Sequence, residues 1–232
     1  MGTMLAWCPC KRYNYRMNNR DYKENAIGQF YHIYNRGNAK ANIFQDEDDY
    51  SYFLYKLKQN LFPSEFTKGN NKILPRSTPL PDDSFSLVSY CLMPNHFHLL
   101  LRQNKDIAPS KLMLKLCTSY SKYFNKKYDR VGHLFQDQFK QVIIEEDKQL
   151  KWLLAYIHQN PKIAELVNDL EKYRWSSYND YIGTGDSRLC DLSIVMEQFK
   201  DKNDFKKFVE SSYGLIRNRK IEEKIEQEFL MD

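Results

Sequence analysis

The chain has 232 residues, of which 42% are hydrophobic and 28% charged, with 35 Lys and Arg against 30 Asp and Glu. That is room for one large domain, or one domain with an extension, and enough apolar content for a core. No apolar run approaches the roughly 20 residues of a membrane span, and the opening MGTMLAWCPCKRYNYR holds no signal-peptide core, so a soluble, cytoplasmic protein without a membrane partner is expected. Five scattered cysteines (Cys8, Cys10, Cys91, Cys117, Cys190) argue against a disulfide framework. Cys8-Pro9-Cys10 leaves too few residues between its thiols for zinc.

Residues 1–27 are polar and rich in Asn and Arg, and read as an N-terminal arm. Gln29 to Tyr34 alternates β-forming residues and is expected to be the first strand. It ends in Asn35-Arg36-Gly37-Asn38, a turn where Gly37 can take positive φ and where Arg36 and backbone amides could hold a phosphate. Asp46 to Leu61 opens on acidic residues and then repeats Tyr50, Phe53, Leu54, Leu57 and Leu61, which predicts a helix. Residues 62–84 hold half of the eight prolines and read as a loop inserted before the next strand.

Phe85 to Gln103 (FSLVSYCLMPNHFHLLLRQ) predicts two strands joined at Met93-Pro94-Asn95. Strand side chains alternate, so His96 and His98 share one face and Phe97 enters the other layer. Two imidazoles side by side are half of a metal site, or two polar residues on the wet face of a half-buried strand. Pro109 to Tyr128 is expected to be a helix ended by Gly132, and Leu134 to Ile144 a strand. A helix follows from about Lys148, with Leu150, Leu153, Leu154 and Ile157 inward. The order strand, helix, strand, strand, helix, strand, helix is that of a ferredoxin-like (RRM-like) α+β fold, an antiparallel sheet with helices packed on it. The expected organisation is one main domain over 28–165, which the resemblance given below implies to be catalytic, and a C-terminal helical extension over 166–232.

The segment from Lys105 to Ile144 carries eight positive residues and three negative ones, the chain's whole net excess of +5. The positives include Lys111, Lys115, Lys122, Lys126, Lys127, Arg130 and Lys140, interleaved with Tyr120, Tyr123, Phe124, Tyr128, Phe135 and Phe139. Such a mixture suits single-stranded nucleic acid, with phosphates on the cations and bases stacked on rings. A helix with a solvated basic face would look the same.

In Tyr156-Ile157-His158-Gln159-Asn160-Pro161, Tyr156 and Asn160 are one helical turn apart and share a face. Should that face meet His96 and His98, the group would combine two imidazoles, an amide oxygen and a phenol. A divalent ion on such a group acts as a Lewis acid on a phosphate, and the phenol becomes a candidate nucleophile. A tyrosine with its ring in the core is the alternative. Asn160 precedes a proline, so the helix is expected to end or kink there.

The motifs CLMPNHFHLLL, GHLFQDQFK, YIHQNP and YRWSSYNDY, in that order and with NRGN near the start, resemble the REP-associated tyrosine transposases, single-tyrosine members of the HUH superfamily. The resemblance runs from about Gln29 to Gly183. It implies a ferredoxin-like domain that cuts and rejoins single-stranded DNA hairpins through a 5′-phosphotyrosine, with Mg²⁺ or Mn²⁺. The metal ligands would fall on His96, His98 and Asn160, and the nucleophile on Tyr156. DNA contacts would come from Asn35, Arg36, the basic segment, and Arg174 and Trp175, in a monomer or homodimer. A non-catalytic single-strand-binding module and a phosphoesterase that activates water are the competing functions.

Overall fold

The computed structural model describes residues 25–67, 78–186 and 188–229. Most of the arm over 1–27, together with Cys8 and Cys10, and the centre of the Pro-rich loop therefore lie outside the described residues.

Strand β1 (Phe30–Arg36) leads through a 3₁₀ turn (Asn38–Lys40) to helix α1 (Glu47–Leu61) and a short α2 (Pro63–Thr67) within the segment expected to be loop. Strands β2 (Phe85–Met93) and β3 (His96–Gln103) form the expected hairpin, followed by α3 (Pro109–Lys127), β4 (Lys140–Ile144) and α4 (Asp147–Ile163). Beyond these come α5 (Tyr178–Ile182), α6 (Ser193–Met196), α7 (Lys202–Ser211) and α8 (Tyr213–Phe229). The strands lie in the order β2-β3-β1-β4, every neighbour antiparallel, which is the ferredoxin-like arrangement. No described helix is long and apolar enough to cross a membrane.

Two cores flank the sheet. On one face Tyr31, Ile33, Phe97, Leu99 and Leu101 meet Phe53 and Leu57 of α1 and Leu112, Leu116 and Tyr120 of α3. On the other, Cys91, Met93 and Leu100 meet Leu150, Leu154 and Ile157 of α4, with Tyr178, Tyr181, Phe205 and Val209 of the C-terminal extension behind them. The alternation of β3 thus divides as its sequence requires, Phe97 into the first core and His98 onto the second face. The extension is also tied to the sheet through its backbone. Leu92 N donates to Trp175 O at 2.9 Å, and Ser177 N to Tyr90 O at 3.0 Å.

Helix α1 begins in a reciprocal cap, where the Asp46 side chain accepts from Asp49 N and the Asp49 carboxylate accepts from Asp46 N. Asp49 is buried, and its charge is answered by Lys127 at 2.9 Å and the Tyr128 hydroxyl at 2.8 Å, both from the end of α3. These bonds clamp the two helices of the first core together.

Three local expectations are corrected. Strand β4 is only five residues long and not the eleven from Leu134 to Ile144. Residues 134–136 pair instead with the end of β1, through Asn38 N to Leu134 O and Gln136 N to Arg36 O, both 2.9 Å. Helix α4 does not break before Pro161 but continues to Ile163. The proline nitrogen cannot bond the Ile157 carbonyl, and Asn160 Nδ2 reaches that oxygen at 3.5 Å and Tyr156 O at 2.8 Å. Gly37 has φ −63°, and the positive values fall on Ala39 and Lys40. Glycine is required at 37 for space, because a Cβ there would lie 2.1 Å from Ala41 O.

Candidate active site

On the face of the sheet that carries α4, the antiparallel register sets Arg36 opposite His96, Tyr34 opposite His98, and Lys140 opposite Tyr34. Directly paired residues project to the same side, so this end of the sheet presents two imidazoles, a phenol and two cations together. The His96 and His98 rings lie 5.0 Å apart, centroid to centroid, and nearly perpendicular. Tyr156 projects from α4 with its ring edge-on to His98 at 5.7 Å. Trp152, one turn earlier, stacks on the Tyr156 ring at 5.6 Å. The helix thus meets the histidine strand through the face that bears Tyr156.

Asn160 lies on the same face, fully buried. Its amide nitrogen is spent on the backbone of its own helix, and its Oδ1 accepts from the Lys220 ammonium at 2.5 Å. Lys220 comes from α8 and stands 4.9 Å from the Tyr156 ring centroid. The adjacent Arg219 lies over Trp152 at 5.3 Å. The C-terminal helix therefore brings a cation into the cluster.

Burial holds His96 down to about 3, helped by the charges of Lys220 and Arg36. Burial also holds His98 far below its ordinary value, with the neighbouring His96, His32 and Lys220 adding to the effect. Both imidazoles are thus neutral near pH 7, the form that donates a lone pair to a metal. His96 Nδ1 lies 2.6 Å from Asn95 Oδ1, an atom that only accepts, so Nδ1 carries the proton and Nε2 keeps its lone pair. The two histidines fit a divalent ion. Among the described residues, no group of three or more His, Cys, Asp or Glu side chains could hold one. A metal here would rest on imidazoles, a neutral amide oxygen and oxygens of the bound substrate.

The DNA-contact candidates separate into distinct places. Arg36 and Lys140 stand beside the cluster in the register above. Helix α3 packs on the opposite face of the sheet, and its basic residues go with it. Of these, Lys111 and Lys122 line a groove of about 1010 Å³ between α3 and residues 132–139, along with Asn35, His133, Gln136 and Phe139. Lys115 donates to Thr78 O at 2.6 Å, and the Arg130 guanidinium lies 5.6 Å from the Phe124 ring. Lys126 is exposed in the last turn, and Lys127 is committed to Asp46 and Asp49. Arg174 pairs with Glu47 and covers Trp175, whose ring stacks on Tyr50 at 4.5 Å.

Sequence reasoning did not single out His32, Tyr34 or Lys220. His32 and Tyr34 alternate on β1 and share the face of His98, so pairing β1 with β3 in the correct register would have found them. No local signal marks Lys220.

A family model described as "Transposase IS200 like" matches residues 77–160, a span that includes His96, His98, Tyr156 and Asn160. A Haemophilus influenzae protein named as a candidate REP-associated tyrosine transposase is 30% identical over an alignment 107 residues long, which covers 41% of this chain and 60% of that protein. The match thus spans less than two thirds of that relative. Among solved structures, one of a REP-associated tyrosine transposase bound to a REP hairpin aligns with a TM-score of 0.50 at 15% identity, over 72% of this chain and 88% of that one. A second, a candidate transposase from Deinococcus radiodurans, aligns with a TM-score of 0.35 at 12% identity, over 55% of this chain and 88% of that one.

Proposed function

We propose that this chain, a relative of the REP-associated tyrosine transposases, cleaves and rejoins single-stranded DNA at a hairpin, with Tyr156 as the nucleophile. The observation that carries this reading is the placement of the Tyr156 ring 5.7 Å from that of His98, in the stretch that matches the transposase family. The phenol oxygen attacks the scissile phosphorus, the bond to the 3′ oxygen breaks, and that oxygen leaves as a hydroxyl. The phosphate stays on Tyr156 as a 5′-phosphotyrosine. Its ester bond keeps the energy of the broken linkage, so a 3′ hydroxyl can reverse the step and rejoin the strand.

His96 and His98, with Asn160 Oδ1 once it is released by Lys220, would hold Mg²⁺ or Mn²⁺, whose Lewis acidity polarises the scissile phosphate. Arg36 and Lys140 flank the cluster and supply charge for the phosphates on either side of the cut. Lys111 and Lys122 in the α3 groove suit the hairpin stem. The groove reaches Asn35, next to Arg36 at the end of β1, so one nucleic acid can follow the strand end from groove to cluster.

The test is to incubate the full chain with labelled single-stranded hairpin DNA and Mn²⁺ and to separate the products by denaturing electrophoresis. A protein–DNA adduct that disappears in Tyr156→Phe is the expected result. Tight binding with neither adduct nor cleavage would leave a non-catalytic binding module, and cleavage without adduct a water-activating phosphoesterase.

A further inference from the structure

His32 lies on β1 opposite Leu100 and Val142, which puts it diagonally beside His98 on the same face of the sheet. It is 9% exposed. Its ring is close to coplanar with that of His98, centroids 5.1 Å apart, and lies 4.9 Å from the Tyr34 ring and 6.4 Å from the edge-on ring of Tyr156. Its Nε2 is 2.9 Å from His98 Nδ1.

Two nitrogens at that distance need one proton between them, and a neutral imidazole has one donor and one acceptor. Two arrangements are possible. When His32 Nε2 donates, His98 spends its Nδ1 lone pair on that bond and carries its own proton on Nε2, with nothing left for a metal. When His98 Nδ1 donates, its Nε2 lone pair stays available, and His32 holds its proton on Nδ1. For His96 the corresponding choice is fixed by the Asn95 amide oxygen, which can only accept. For His98 it depends on the tautomer of His32.

We infer that His32 is a positioning residue, which accepts the Nδ1 proton of His98 and so keeps His98 in the tautomer whose Nε2 can ligate a metal. The role rests on the metal reading of the site given above. A partner on the distal nitrogen of a ligating histidine sets its tautomer and ring orientation, and losing one weakens metal binding by about 10–100-fold. A buried pair kept only for packing would not depend on which ring holds the shared proton.

The experiment uses the full chain labelled with ¹⁵N at histidine, free of metal. The ¹⁵N shifts of His98 show which nitrogen is protonated, and a titration followed by Mn²⁺ electron paramagnetic resonance gives the affinity. In the unaltered protein His98 should be protonated at Nδ1. His32→Gln, whose amide oxygen can accept the same proton, should keep that tautomer and bind Mn²⁺ within a few-fold of the unaltered chain. His32→Leu should lose the tautomer preference and bind about 10–100-fold more weakly. His98 protonated at Nε2 in the unaltered chain, or full Mn²⁺ affinity in a folded His32→Leu, would overturn the role of His32 while leaving the metal reading intact. No Mn²⁺ binding by the unaltered chain would instead remove the metal reading, and with it the role assigned to His32. If His32→Leu does not fold, the unaltered protein and His32→Gln still decide between the tautomers.

Discussion

The Lys220 ammonium is hydrogen-bonded to Asn160 Oδ1 at 2.5 Å and sits over the Tyr156 ring at 4.9 Å. An oxygen bonded to an ammonium group is not open to a divalent ion, and two like charges about 4 Å apart repel strongly in a partly buried site. A metal bound as proposed would therefore compete with the C-terminal helix for the same amide. Removing the charge in Lys220→Met should raise Mn²⁺ affinity by roughly tenfold, measured by calorimetry on the full chain. An unchanged affinity would mean that Asn160 is not a ligand.

The choice of nucleophile among 17 tyrosines is sharper in the fold than in the sequence. Tyr120, Tyr123 and Tyr128 belong to α3 and its end, on the face of the sheet opposite His96 and His98. Tyr120 donates its hydroxyl to Ile43 O and Tyr128 to the Asp49 carboxylate, and burial raises both above the usual phenol range. Tyr156→Phe should abolish the covalent adduct and leave hairpin binding within a few-fold. Tyr120→Phe should keep the adduct and lose about 1 kcal/mol of stability with its buried hydrogen bond. Adduct in Tyr156→Phe, mapped by peptide mass to one of the other three, would reassign the nucleophile.

The first three strands, the main helices and the histidine pair can be read from the sequence because each depends on alternation or helical period within one segment. His96-Phe97-His98 needs no partner to show which way its side chains point. Sequence and structure part where hydrogen bonds outside the local pattern decide. Residues 134–139 have the composition of a strand, but the end of β1 takes the backbone bonds of Leu134 and Gln136. Pro161 normally ends a helix, but the side chain of its own neighbour Asn160 satisfies the freed carbonyl. Lys220 lies 60 residues after its partner and is one of many lysines in a charged helix. The basic segment shows its charge in the sequence but not its direction, and α3 turns most of that charge away from the histidine face.

Lysines along α3 should therefore separate into two classes. Lys127 bridges Asp46 and the buried Asp49, so Lys127→Ala strands a carboxylate and should cost about 2 kcal/mol of stability in a urea titration. Hairpin affinity of the folded protein should barely move. Lys111→Ala and Lys122→Ala, on the open groove, should leave stability within about 0.5 kcal/mol. Each should weaken hairpin binding and lower the slope of log affinity against log salt by about 1. Loss of binding in Lys127→Ala alone would place the DNA elsewhere.

His158 belongs to the YIHQNP motif but points away from the cluster, between Tyr178, Tyr181 and Phe205. Its Nε2 is 2.9 Å from Ser177 Oγ, and its Nδ1 has no hydrogen-bond partner among the described residues. Burial holds it down to about 3 from an ordinary value of 6.5. Between those limits the unfolded chain binds a proton that the folded chain excludes, so the contribution of this group is intact above about 6.5 and is lost as the pH falls. From pH 7 to pH 5 that loss is about 2 kcal/mol for one such histidine. His32, His96 and His98 act in the same direction, so acid sensitivity of the unaltered protein cannot identify His158. The variant can. His158→Gln should be less stable at pH 7 by about 1–2 kcal/mol, through lost packing and a disturbed bond to Ser177. Because glutamine has no proton to exclude, that deficit should shrink or reverse at pH 5, as read from urea midpoints at the two pH values. A deficit of the same size at both would show that His158 is not held neutral by the fold.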